Sequence, residues 1–254
     1  MSGAVPLAAT GGGPSAALVV LGALVLAGVH VLAGRFTAFD AVPRSRWLSG
    51  AGGVSVAYVF VHVLPELSAS REAVEEGGSV LTVFFEHHVY LVALLGFVVF
   101  YGLEQAVRRR SERDGDGGDS DDATGLFWIH VGSFGVYNAL VGRLLVHQPD
   151  ARTLALFAAA LGLHFVVNDH SLRDHHAARY HRYGRWILAG GVLVGAAEGL
   201  VTTITETTAA LVFAFVAGGI VLNVIKEELP EERASSFPAF ALGAAGYTAV
   251  LVAI

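Results

Sequence analysis

Apolar residues run in long blocks broken by short polar stretches, and each block approaches the roughly 20 residues that a helix needs to cross hydrocarbon. Eight blocks predict eight transmembrane helices, at about 15–34, 47–65, 82–105, 125–146, 153–171, 185–204, 208–226 and 237–254. Residues 1–14 read as a disordered Gly/Ala-rich tail, 15–110 as spans one to three and 126–254 as spans four to eight. Between them, residues 111–125 are rich in Asp and Gly and read as a solvated cytoplasmic linker. Their spacing lacks the Gly at position six and Glu at twelve of an EF-hand.

Charge gives the orientation. One set of connections holds Arg35, Arg44, Arg46, Arg108, Arg109, Arg110, Arg113, Arg173, Arg179, Arg182, Arg185, Lys226 and Arg233. The other holds only Arg71, Arg143 and Arg152. Cytoplasmic loops carry the excess of basic residues, so both termini are expected outside. The 15% of charged residues falls well below the roughly 25% of soluble domains, and mean hydropathy is +0.59. The net charge of −6 is spread over loops and gives no reason to expect nucleic acid as a partner. With no Cys, disulfides, thiolate metal sites and Cys nucleophiles are excluded. No basic stretch precedes the first apolar block, so no cleaved signal peptide is expected. One Lys against fifteen Arg points to a GC-rich prokaryote, hence to a multi-pass protein of the plasma membrane.

The chain carries an internal repeat. Gly53–Glu66 lies over Gly218–Glu231 at a constant offset of 165, and both segments end in Leu-Pro-Glu. The second span runs outward and the seventh inward, so either spans one to three and six to eight form an inverted repeat around spans four and five, or two apolar segments are alike by chance. Secondary transporters place their sites between such repeats, near the midplane.

Polar residues within the spans mark the candidate site, because they are costly at membrane depth without partners or water. His130 and Asn138 share one face of span four. His164 and Asn168 share one face of span five, with Asp169 turned about 100° away. Glu198 follows small residues in span six. The expectation is that His164 and Glu198 meet across a wet gap. Imidazole, carboxylate and amide oxygen suit divalent ions such as zinc, iron or manganese. His130 reads either as a ligand or as an interfacial residue, and Asn138 either as a ligand or as an interhelical hydrogen bond. His62 and Glu66 sit near the outer surface, as residues on a route in or as plain interface groups. Glu86, His87 and His88 read as a solvated cap. A loop after Asp169 holds His170, Asp174, His175, His176 and His181, and reads either as an ion exit or as a basic cuff for lipid headgroups.

With these residues in view, the chain resembles the ZIP (Zrt/Irt-like) family of divalent-metal transporters. Ala57–Glu66, Leu95–Glu104 and Phe215–Glu231, in that order, carry the resemblance. It implies metal bound in the bundle core by spans four and five, no catalysis, and transport by rocking of one bundle against the other. In span five the histidine is kept as His164, but Phe165 stands at the second position and Asn168 at the later carboxylate. Asp169 would substitute only in a locally rewound helix. Span four lacks its usual carboxylate in either register, with Phe134 or Asn138 in its place. Glu198 matches a span-six position that can be acidic in the family. The expected activity is uptake of a divalent cation, zinc first, through a depleted metal centre of His164, Asn168, Asp169, Glu198, Asn138 and His130. Expected partners are that ion and the bilayer, and a homodimer is left open. Two other readings stand beside it: a non-transporting ZIP-like membrane protein, and an intramembrane metal-dependent hydrolase.

Overall fold

The computed structural model describes residues 13–32, 44–75, 89–114, 121–228 and 236–253. All regular elements among them are helices, as hydrocarbon requires of a chain that does not close a barrel. The helices are α1 (Ala16–Leu32), α2 (Arg44–Tyr58), α3 (Leu64–Glu75), α4 (Val89–Asp114), α5 (Asp121–Leu144), α6 (Ala151–Arg179), α7 (Arg185–Val201), α8 (Glu206–Asn223) and α9 (Phe237–Val252). A π-helical turn at Val59–Val63 joins α2 to α3. Others follow α6 at Tyr180–Gly184 and α8 at Val224–Glu228. Five segments are long and apolar enough to cross a membrane: Ser49–Ala69, Val89–Ala106, Phe127–His147, Tyr180–Val201 and Glu206–Lys226. Ala16–Leu32, Ala151–Val166 and Phe237–Val252 are shorter apolar helices. The chain is thus an all-helical membrane protein in its described part.

Two sequence expectations are corrected. Helix α4 continues to Asp114 and α5 starts at Asp121, so much of the 111–125 linker is helical; residues 115–120 lie outside the described ones. The loop expected after Asp169 is also helical, because α6 runs on to Arg179 and the π turn leads straight into α7. The tail over 1–12 and the Glu86-His87-His88 cap lie outside the described residues.

Side-chain polarity fixes several helix ends. Asp150 Oδ1 accepts from the Thr153 backbone N–H at 2.8 Å and from its hydroxyl at 3.1 Å, starting α6. Thr205 accepts from the Thr208 N–H at 3.1 Å and starts α8. At the other end of the bundle, Arg182 lies over the Tyr183 ring and Arg185 over Trp186, while Trp128 packs on Tyr183. Exposed aromatic and basic residues of this kind suit a membrane–water boundary.

Three helix pairs pack in parallel through small residues. A Cβ on Gly135 would meet Ile187, one on Gly195 would overlap the Ala139 carbonyl, and Gly199 faces Arg143; numbers rise together along α5 and α7. In α2 and α9, a Cβ on Gly53 would overlap the Phe240 carbonyl and crowd the Ala244 nitrogen, and one on Gly243 would overlap the Gly50 carbonyl. In α4 and α8, a Cβ on Gly218 would overlap the Ala93 carbonyl and crowd the Phe97 nitrogen, and one on Gly96 would overlap the Phe215 carbonyl. Such close backbone approach is how membrane helices gain van der Waals contact without a hydrophobic drive between them.

The last two interfaces correspond atom for atom. Adding 165 to Gly50 and Gly53 gives Phe215 and Gly218, while adding 147 to Ala93, Gly96 and Phe97 gives Phe240, Gly243 and Ala244. The same offset of 165 carries the π turn Val59–Val63 onto Val224–Glu228.

Candidate functional site

The polar centre lies where α1, α5, α6 and α7 meet. Asp169, fully buried on α6, faces His30 of α1, with both carboxylate oxygens 2.9 Å from Nδ1. Asn138 of α5 donates one amide hydrogen to His30 Nε2 at 2.8 Å and the other to the Leu188 carbonyl of α7 at 3.2 Å. In this amide orientation Nε2 is the acceptor and Nδ1 directs its proton at Asp169. A carboxylate buried at this depth needs such a partner. Isolated charge at that depth is costly, and a cation relieves it. Tyr180, in the π turn, donates its hydroxyl toward the His30 carbonyl at 3.5 Å.

Helix α6 needs no rewinding to deliver the carboxylate. Phe165 and Asp169 are four apart on one face, and both meet His30, whose ring centroid is 4.6 Å from that of Phe165. The phenyl ring at the position where the ZIP resemblance calls for a second ligand thus packs on an imidazole from another helix. His164 and Asn168, also four apart, are buried beside this centre. Rings link His164 to Phe165 at 6.2 Å and to Tyr137 at 6.5 Å. His164 Nε2, Asn168 Nδ2, Asn138 Oδ1 and the Tyr137 hydroxyl have no hydrogen-bond partner among the described residues. Buried polar atoms normally have one, so this cluster offers several atoms to water or an ion.

The remaining candidates lie elsewhere. Glu198 does not face His164. It sits in the last turn of α7, 48% exposed by side chain, paired with Arg143 and accepting from the Thr202 hydroxyl. Arg143 also donates to that hydroxyl at 2.9 Å. The wet gap expected between His164 and Glu198 is therefore absent, because α7 ends at Val201 and leaves Glu198 at the rim. His130 is likewise away from the centre: its Nε2 lies 3.9 Å from Glu104 Oε2, while Glu104 Oε1 is 2.7 Å from Lys226 Nζ. Among the described residues no three His, Asp or Glu side chains converge to hold a metal.

His62 and Glu66 line a cavity of about 200 Å³ together with His147, Gln148, Thr153, Phe157 and Glu206. It opens at the end of the bundle that carries the Gln148 and Thr203 turns. The Lys226–Glu104 pair and the Arg182–Trp186 belt lie at the other end.

Sequence reading missed His30. It is the one ionisable residue in α1, so the rule that singles out polar groups at membrane depth would have found it.

No protein-family model matches the chain, and no curated protein matches it either.

Proposed function

We propose that this protein moves a divalent metal cation across the membrane, inward to the cytoplasm, by alternating access between two inverted repeats of ZIP-like arrangement. The observation that carries the reading is the exact correspondence of the two helix interfaces and their π turns at fixed offsets, with the buried Asp169 centre between them. Helices α1 to α4 form one repeat and α7 to α9 the other, around α5 and α6. An inverted repeat with a polar site at its middle is the architecture of many secondary transporters.

Asp169 and His30, rather than His164 and Glu198, form the pair at the middle of the pathway. The cargo enters through the cavity beside His62 and Glu66, passes the centre, and leaves at the end that carries the arginine belt. At the centre it displaces His30 from Asp169, and Asn138 Oδ1 and His164 Nε2 complete its shell with water. One carboxylate and neutral donors give weak binding, as release requires. Nitrogen and oxygen donors together suit zinc, iron or manganese better than calcium or magnesium.

Reconstituted into proteoliposomes with a trapped metal-sensitive dye, the native chain takes up Zn²⁺, Mn²⁺ or Fe²⁺. Asp169→Asn, which keeps the shape and removes the charge, lowers the initial rate at least tenfold. A native chain that carries none of the three ions, or an Asp169→Asn variant with native flux, rejects the proposal.

A further inference from the structure

Among the described residues, a second carboxylate within the helical bundle holds a cation that belongs to the chain itself. Glu104 of α4 binds the Lys226 ammonium at 2.7 Å through one oxygen, and its other oxygen faces His130 Nε2 of α5 at 3.9 Å. We infer that Glu104 and His130 form a second cation site, the exit site of the transport reading on which this inference rests, and that Lys226 fills it when no cargo ion is present.

Three features fit that role. Carboxylate and imidazole are both ligands that zinc and its neighbours accept. Both Glu104 and Lys226 are about a quarter exposed by side chain, so water and an ion reach them. The third is the choice of residue. The chain uses arginine fifteen times and lysine once, here. Arginine grips a carboxylate through a two-pronged planar fork, whereas an ammonium is a compact, strongly hydrated charge that leaves readily. A displaceable cation calls for lysine.

Its position supports the same conclusion. Lys226 sits in the π turn Val224–Glu228, and π turns recur at functional sites. The matching turn Val59–Val63 carries His62 to the cavity at the opposite end. From His130, rings continue inward through Phe134 at 5.2 Å and on to Tyr137 at 6.3 Å, which neighbours His164. The Glu104 site therefore lies at the end of a line of side chains that starts at the centre.

The lone lysine makes a direct test possible in the native chain. An amine-reactive ester is applied to the purified full-length protein with and without Zn²⁺, and modification of Lys226 is followed by peptide mass spectrometry. Zn²⁺ is expected to raise the rate several-fold in the native chain and to leave it unchanged in Glu104→Gln. Equilibrium dialysis, at a Zn²⁺ concentration that leaves the native site held by Lys226, supplies the second arm: there Lys226→Gln binds one further Zn²⁺ per chain, and Lys226→Gln with Glu104→Gln does not. A Lys226 rate indifferent to Zn²⁺, or an extra ion that survives Glu104→Gln, overturns the inference. If the native chain carries none of Zn²⁺, Mn²⁺ and Fe²⁺ in proteoliposomes while both arms succeed, the transport reading falls and the site stands.

Discussion

At the residue scale, the centre is defined by a buried His30–Asp169 contact that no single helix displays. Removing one partner of a buried pair leaves the other unpaired and costs about 3–5 kcal/mol, whereas replacing both by apolar groups of similar volume is often neutral. His30→Leu and Asp169→Leu should therefore each lower thermal stability in detergent strongly, and the double variant should recover most of the loss. A double variant as unstable as the worse single one would show that the pair is not what the surrounding packing depends on. Asp150 gives a milder, pH-dependent test. Hydrogen bonds from the Thr153 backbone and side chain hold its carboxyl below the usual carboxylate range. A depressed pKa contributes stability above the unfolded-state value near 3.8 and loses it as pH falls below that. Asp150→Asn should thus be slightly less stable than the native chain at pH 7, and the gap should close toward pH 3. A gap that widens on acidification would contradict the capping role. Much of the site was legible at this scale: Asn138, His164, Asn168 and Asp169 stood out as polar groups in apolar runs. Glu198 was misplaced because hydropathy does not show that α7 breaks at Thr202, where the backbone turns extended. Arg143, its partner, already counted among the basic residues of the outer loops.

At the element scale, the small residues argue most strongly. Gly53 and Gly218 occupy equivalent places in two interfaces, each pressed against a carbonyl of the neighbouring helix. Overpacking such a contact costs about 1–3 kcal/mol. Gly53→Ala and Gly218→Ala should therefore destabilise by similar amounts, while Gly190→Ala, which meets open space, should be neutral or gain about 0.5–1 kcal/mol from lower backbone entropy. Unequal losses at Gly53 and Gly218, beyond the scatter of the measurement, would weaken the equivalence of the repeats. The repeat itself was readable in the sequence, since Leu-Pro-Glu recurs at the same offset that the structure reproduces. The π turns were not, because a single added residue per turn leaves hydrophobic periodicity nearly unchanged. Nor was the helical continuation after Asp169, where the His, Asp and Arg content imitates a solvated loop.

At the scale of the whole molecule, two carboxylates among the described residues lie within the bundle, and each is held by a cationic or protonatable side chain from another element: Asp169 by His30, Glu104 by Lys226. Between the cavity at one end and Lys226 at the other lie the buried polar atoms of Asn138, His164 and Asn168, along the route that the proposed transport would take. In a static helical bundle buried water would have to satisfy those atoms, whereas a transporter that opens alternately to each side would wet them in turn. Asn168→Cys tests this directly, because the chain has no other thiol and the Asn168 amide nitrogen makes no hydrogen bond among the described residues. In sealed vesicles of known orientation, a membrane-impermeant thiol reagent is added to one face at a time. The account predicts modification from either face, with Zn²⁺ slowing both; modification from neither face, or from one face alone under every condition, would contradict it.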